Sequence, residues 1–474
     1  MAVFSHPDDD ITLYETGFEE DLFGRRVVGE RLSEVVRRFN DPLVIALDGR
    51  WGTGKSVFLK KWVGEHKKAP HDETITVYFD AFANDYLADP LVALTSALLE
   101  RYAVQSSQLQ PSKVEKLKAA GEKIFRYSKP LAKIALSVAS AGVTTQIEGL
   151  TKVAVEAAEG EVSGAIDSIW TREENRKTAM SEFRQALEDC TKDREPSDPS
   201  AEDITKRRLV FVVDELDRCR PDFALEVLEV IKHFFSVSNV HFVLGVNLTA
   251  LENSVKARYG EGIDATAYLQ KFLSFKMSLP SKGEGQDFPT TLVYLMTIGQ
   301  KMGLHRNILE ELRTQLRIVS QNNHVSIRDV SKILSLSALL PIEAQENTRV
   351  DGYRKTAISL LISKVVAPEI YQKLVSVSLT QAELERYLGV TSQLIDRDPT
   401  KDNPLYNNEL HSLFNMWLFL LSDGETPWQP QSEGEAGQFG NHPSRAQFDF
   451  RARQFKEIPA TLDQTWLGVF EYTT

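Results

Sequence analysis

Eight consecutive residues, Gly49-Arg50-Trp51-Gly52-Thr53-Gly54-Lys55-Ser56, carry the spacing G-x-x-x-x-G-K-[ST], which lets a backbone cradle phosphate groups. Successive N–H groups must turn inward around the phosphate oxygens, in conformations that a Cβ hinders. Gly49, Gly52 and Gly54 meet that need. Lys55 is placed to reach β- and γ-phosphates, and the Ser56 hydroxyl to ligate Mg2+. Trp51, Thr53 and Val57 complete the candidate contacts to a nucleotide.

A phosphate cradle of this kind needs an acidic partner at the end of a neighbouring strand, to hold the metal. The apolar run Leu209-Val210-Phe211-Val212-Val213 leads directly into Asp214-Glu215. Asp214 is the expected metal-side carboxylate. Glu215, one residue on, is the candidate to orient or deprotonate an attacking water. Asp217 is a rival for that role in the same turn, and an ion pair with Arg218 or Arg220 is the plainer role for Glu215. Charge on a transferring phosphoryl group also needs stabilising. Asn247 follows another apolar strand and could sense the γ-phosphate, or simply start the next helix. Arg328, early in a later helix, could reach the nucleotide or stand exposed. Lys271 and Arg258 are candidates to act across a subunit interface, with plain surface charge as the alternative.

These side chains need a scaffold, and the hydrophobic pattern supplies one. Leu43-Val44-Ile45-Ala46-Leu47 is a continuous apolar run, as expected of a strand covered on both faces. Residues 74–79, 208–213 and 240–246 read as further strands, alternating with helices over 56–66, 90–102 and 224–235. Gly24 and Gly29 punctuate an amphipathic stretch over 13–38. The pattern predicts an α/β fold with a mostly parallel sheet flanked by helices. A long helical insertion separates the cradle from the acidic strand, and a helical subdomain follows the sheet. The expected divisions are 1–104 for the first part of the core, 105–192 for the insertion, 193–285 for the rest of the core, 286–390 for the helical subdomain, and 391–474 for a C-terminal region of unassigned role. Residues 423–447 read as a Gly-, Pro- and Gln-rich loop.

Composition narrows the class. Acidic residues outnumber basic ones, 67 to 55, giving a net charge of -12. That balance argues against sequence-independent nucleic-acid binding over the whole surface but leaves room for a local basic groove. Cys190 and Cys219 form no C-x-x-C pair, which disfavours a disulfide framework or zinc site and fits a reducing, cytoplasmic setting. Residues 1–10 lack the basic and apolar regions of a secretory signal. The apolar stretch 131–147 carries Lys133, Gln146 and several hydroxyl residues, so it falls short of a membrane span.

Asp48-Gly49-Arg50-Trp51-Gly52-Thr53-Gly54-Lys55-Ser56 resembles the G-x-W-G-x-G-K-[ST] of the KAP family of P-loop nucleoside triphosphatases, within the ASCE class related to STAND and AAA+ ATPases. Val212-Val213-Asp214-Glu215-Leu216-Asp217-Arg218-Cys219-Arg220-Pro221 is similar to that family's hhIDDLDRC-x-P, with Glu215 for the second Asp. Val227-Leu228-Glu229-Val230-Ile231-Lys232-His233-Phe234-Phe235 resembles LLEAIKLFF. Val77-Tyr78-Phe79-Asp80-Ala81-Phe82 resembles hhFNAW, with Asp80 for Asn and Phe82 for Trp. Tyr268-Leu269-Gln270-Lys271-Phe272 resembles YLEKI, and Asn247 stands where the family commonly has Asp. The resemblance covers about residues 15–340. It implies binding and hydrolysis of ATP with Mg2+, and an adenine side lined by residues 22–26 and the helix after them. Many members carry membrane helices in the slot of residues 105–192, and bacterial relatives occur in anti-phage defence complexes.

Three functional readings follow. The first is an ATP-driven switch or regulatory ATPase, as a homo-oligomer or beside an effector protein. The second is a nucleic-acid motor or clamp, for which Arg445, Arg451, Arg453 and Lys456 among Phe448, Phe450 and Phe455 are the candidate track. The third is a scaffold that binds ATP without turning it over. The absence of H-E-x-x-H and G-x-S-x-G motifs leaves no second catalytic constellation.

Overall fold

A computed structural model describes residues 11–68, 74–87, 89–104, 111–127, 167–191, 207–282, 288–340, 351–390, 404–422 and 456–467. These form two compact units, one ending at Pro280 and the other beginning at Ser281. The stretches 131–147 and 423–447, the boundary at residues 192 and 193, and all of the C-terminal basic-aromatic run except Lys456 lie outside the described residues.

The first unit is built on a five-stranded sheet: β1 (Val44–Asp48), β2 (Thr74–Asp80), β3 (Arg208–Asp214), β4 (Val240–Val246) and β5 (Phe275–Ser278). The order is β2-β3-β4-β1-β5, and every pairing is parallel. Helices α1 (Arg26–Arg38), α2 (Lys55–Lys68), α3 (Pro90–Val104), α4 (Pro111–Tyr127), α5 (Asp167–Thr191), α6 (Pro221–Phe234), α7 (Leu248–Tyr259) and α8 (Ala265–Gln270) accompany it. Continuous apolar runs become buried strands because helices cover both faces of the sheet. Leu209 to Val213 are all 0% exposed. One face carries Phe211 stacked on Phe242, ring centroids 5.0 Å apart, with Phe235 against both and Phe183 of α5 against Phe235. The other face packs Val210, Val212 and Val243 against Phe58, Leu59 and Trp62 of α2.

The expected α/β architecture is present, with one addition and one correction. Strand β5 (Phe-Lys-Met-Ser) is short and largely exposed, so neither apolar continuity nor alternation marks it. Pairing with β1 makes it a strand. Gly29 does not interrupt the chain but lies inside α1 and is buried there. A Cβ at that position would come within 2.9 Å of the Phe18 ring, so this glycine serves packing rather than a turn.

The outer edge of β2 is closed by side chains. The Tyr14 hydroxyl accepts from the Tyr78 N–H at 2.9 Å, and Arg101 Nε donates to the Thr76 carbonyl at 3.0 Å. The two partners stack, with the Arg101 guanidinium 3.6 Å from the Tyr14 ring centroid. Two of the outward backbone groups on this edge are thereby satisfied.

The second unit is helical among its described residues: α9 (Thr290–Lys301), α10 (Arg306–Val319), α11 (Ile327–Ser337), α12 (Asp351–Val366), α13 (Pro368–Val375), α14 (Gln381–Leu388), α15 (Pro404–Leu421) and α16 (Glu457–Leu462). Its core includes Leu312, Leu316, Ile333, Leu361 and Trp417. Capping boxes, Ser326 with Asp329 and Thr380 with Glu383, start α11 and α14. No helix among the described residues is long and apolar enough to cross a membrane.

Candidate nucleotide-binding site

The site lies at the carboxyl ends of the strands, where ligands of open parallel sheets bind. Register brings Asp80 beside Asp214, Asp214 beside Gly245, and Asp48 beside Val246. Strand β4 therefore lies between β1, which feeds the cradle, and β3, which delivers the carboxylate. The two halves straddle its end.

The cradle turns from β1 into α2 through Gly52 at φ 81° and Gly54 at φ 83°, left-handed values that favour glycine. Helix α2 starts at Lys55, so its first free N–H groups face the cradle. Lys55 Nζ donates to the carbonyls of Gly49 at 2.5 Å and Arg50 at 3.2 Å. Burial pulls the Lys55 pKa down, while Asp217, Asp214 and Asp48 push it up. Thr53 Oγ1 donates to the Arg50 carbonyl at 3.0 Å. Asp48 braces the base of the loop: its carboxylate accepts from the Leu248 N–H at 2.9 Å and pairs with Lys276 at 2.8 Å.

Asp214 is 1% exposed. Its Oδ1 accepts from the Glu215 N–H at 3.0 Å and its Oδ2 accepts from the Tyr78 hydroxyl at 2.8 Å, with the Ser56 hydroxyl close enough to favour its charged form. Burial raises its pKa, and the Ser56 hydroxyl, the Tyr78 hydroxyl and the Glu215 N–H oppose that rise. A hydroxyl and a carboxylate meeting in this way form a hard-oxygen pair suited to Mg2+, which is usually held by one or two protein oxygens together with substrate phosphates.

Glu215 sits at φ 59°, a left-handed conformation unusual for a residue with a side chain. Its carboxylate pairs with Arg218 at 3.0 Å, while Arg220 pairs with Asp85 at 2.8 Å. Desolvation raises the Glu215 pKa and Arg218 lowers it. Asp217, the rival in this turn, is 9% exposed and accepts from Trp51 Nε1 at 2.6 Å. That bond ties the tip of the cradle to the turn after β3.

The remaining candidates fall in several places. Asn247 follows β4 directly and precedes α7, without a side-chain capping bond. Val57 lies in the first turn of α2. Arg258 pairs with Asp222 at 3.1 Å. Lys271 is exposed, with its ammonium 5.5 Å from the Tyr268 ring centroid. Arg328 belongs to the second unit, exposed in the first turn of α11 beside the capping pair.

Sequence reasoning gave no individual role to three residues, although the resemblance placed Arg25 within the stretch 22–26 expected on the adenine side. Arg25, 4% exposed, donates from Nη2 to the Thr53 carbonyl at 3.0 Å and from Nη1 to the Gly54 carbonyl at 3.5 Å. Its Nε has no hydrogen-bond partner among the described residues, and burial lowers its pKa to about 10. Gly245 leaves space for Asp214, since a Cβ there would lie 2.4 Å from Oδ1; a glycine inside an apolar strand was the available signal. Tyr78, a lone phenol in a strand of small and apolar residues, was the third.

A parallel sheet with a phosphate-cradling loop leaving one inner strand and a buried carboxylate ending another defines a P-loop nucleotide-binding protein. The model of the KAP family P-loop domain matches residues 25–339, about two thirds of the chain. The chain belongs to the KAP family. No curated protein matches it. Among solved structures it is similar to the Aeropyrum pernix ORC2 protein in its ADPNP–ADP complexes, at 14% identity and a TM-score of 0.35, covering 83% of this chain and 86% of that one.

Proposed function

We propose that this protein binds ATP with Mg2+ at the cradle and hydrolyses it, working as a switch. One observation carries the reading: the buried Asp214 carboxylate ends β3 beside Gly245, against the cradle, and the Ser56 hydroxyl of the cradle motif lies near enough to favour its charged form. Gly49 to Val57 would hold the phosphates, with Lys55 turning from its loop carbonyls toward them. Ser56 and Asp214 would hold Mg2+. Bound there, the ion supplies charge neutralisation on the phosphate oxygens.

Glu215 is the group assigned to orient and deprotonate water. Burial and neighbouring carboxylates raise its pKa toward what a base needs, and Arg218 would have to release it. Asp217 is less suited, because Trp51 already occupies its carboxylate. Asn247, at the end of β4 between the two halves, is assigned to sense the γ-phosphate. Arg328 is assigned to the transferring phosphate only if the helical unit closes on the nucleotide.

In this reading residues 105–192 form an insertion within the core, residues 286–390 the moving helical subdomain, and a second copy or an effector protein receives the signal. A role in a bacterial defence complex against phage rests on the family resemblance alone. The test is steady-state phosphate release with Mg2+ and ATP. Wild type should turn over, Glu215→Gln should bind nucleotide but fall at least a hundredfold in rate, and Lys55→Ala should not bind. Background release by wild type, with nucleotide still bound, would leave a non-hydrolysing ATP-binding scaffold.

A further inference from the structure

We propose that Tyr78 is a positioning residue for the metal-side carboxylate: its hydroxyl, anchored on the sheet edge, aims Asp214 at Ser56. The inference rests on the ATP–Mg2+ reading and names a residue which that reading does not include.

Tyr78 lies opposite Val212 in the β2–β3 register, and Asp80 lies opposite Asp214. In-register neighbours share a face of the sheet, so Tyr78 and Asp214 stand on the same face, one diagonal apart, within reach of a long side chain. The phenol spans that diagonal and donates to Asp214 Oδ2 at 2.8 Å. The other oxygen, Oδ1, accepts from the Glu215 N–H at 3.0 Å. With one donor on each oxygen, rotation of the carboxylate about its Cβ–Cγ bond would break both hydrogen bonds. The missing Cβ of Gly245 leaves the space on which the carboxylate rests.

The tyrosine is itself anchored. Its backbone N–H, on the outer edge of β2, donates to the Tyr14 hydroxyl at 2.9 Å, and Tyr14 is stacked under Arg101, which bonds to Thr76 two residues earlier. The strand that carries the phenol is thus pinned from outside while the phenol reaches inward. A tyrosine present only to fill space would not need the hydroxyl bond to Asp214. Groups behind a metal ligand orient it, and their loss typically weakens metal affinity by about 10- to 100-fold.

Tyr78→Phe keeps the ring and removes only the donor. The experiment measures the thermal stabilisation given by a non-hydrolysable ATP analogue as Mg2+ is titrated, alongside analogue binding in EDTA. For Tyr78→Phe we expect the Mg2+ midpoint to rise about tenfold or more, with binding in EDTA unchanged. Tyr14→Phe is the control: it loosens the strand edge but leaves the Tyr78 hydroxyl to donate to Asp214, so it should lower the melting temperature and move the Mg2+ midpoint far less than Tyr78→Phe does. The proposal is overturned if Tyr78→Phe melts lower but keeps the parent's midpoint, if both variants move the midpoint alike, or if Tyr78→Phe does not fold, since the hydroxyl would then be holding the sheet. A parent protein that gains no Mg2+-dependent stabilisation from the analogue would remove the ATP–Mg2+ reading and this inference with it. Parent stabilisation with an unmoved variant removes the inference alone.

Discussion

Replacing Gly245 with alanine puts a Cβ 2.4 Å from Asp214 Oδ1 and 2.6 Å from Leu59 Cδ1. Neither neighbour has free space to retreat into, because Leu59 is 0% exposed and Asp214 is 1% exposed. Pushing a methyl group into such a packed place costs about 1–3 kcal/mol. Asp214 can yield only by giving up a donor from Tyr78 or the Glu215 backbone, and a hydrogen bond to a charged group contributes about 1.5–3 kcal/mol. The two costs overlap, since moving the carboxylate relieves part of the clash. A net loss of about 2–4 kcal/mol is therefore expected. The urea unfolding midpoint should fall accordingly, and Mg2+-dependent nucleotide binding should weaken more than binding in EDTA. Gly262→Ala, where nothing lies within 4 Å of the added Cβ, is the matched control and should stay within about 0.5 kcal/mol. A Gly245→Ala protein with the parent's midpoint and Mg2+ requirement would refute the reasoning, because the carboxylate could not then be resting against Gly245.

His241 lies in the middle of the sheet, 0% exposed, and neither ring nitrogen has a hydrogen-bond partner among the described residues. Burial, helped by Arg208, lowers its pKa to about 4 from an ordinary 6.5. Below pH 6.5 the unfolded chain therefore binds the extra proton first, and stability should fall as pH drops toward 4, by about 3 kcal/mol in all. His241→Leu should flatten that part of the stability profile, and an unchanged slope would discount the histidine. Trp51→Phe removes the donor to nearly buried Asp217 and should cost about 1–2 kcal/mol in urea unfolding; equal stability would mean that the cradle tip does not depend on this tie. Arg25→Met takes a buried cation and two hydrogen bonds from behind the cradle. Nucleotide affinity should drop about five- to tenfold, or about 1 kcal/mol, as read by titration calorimetry. An unaltered affinity would reduce Arg25 to a structural brace.

How legible each part was follows from how local its cause is. Strands β1, β3 and β4 are visible in the sequence because helices on both faces demand continuous apolar residues, and Val240–Val246 is buried throughout. Strand β5 is not, since an exposed edge of four residues places no such demand on its side chains. Gly29 reads as a break only while Phe18 and Trp62, which pack against it, are still unplaced. For Glu215 the sequence offered a base or an ion-pair partner. The structure shows the pair with Arg218, and an αL backbone that the sequence gives no sign of.

The cradle itself was determined by sequence alone. A phosphate grip made of backbone N–H groups needs only a short run of residues with permissive φ and a helix start directly after it, and both are written within Gly49 to Ser56. The fit between cradle and carboxylate was decided by tertiary structure. Ser56, Tyr78, Asp214 and Gly245 come from four separate stretches of the chain, and the parallel register of β2, β3 and β4, with α2 packed across them, brings them together. A hydrogen bond tolerates only a few tenths of an ångström, so contacts of this kind depend on the packing of the whole sheet and cannot be read from the spacing of any one segment.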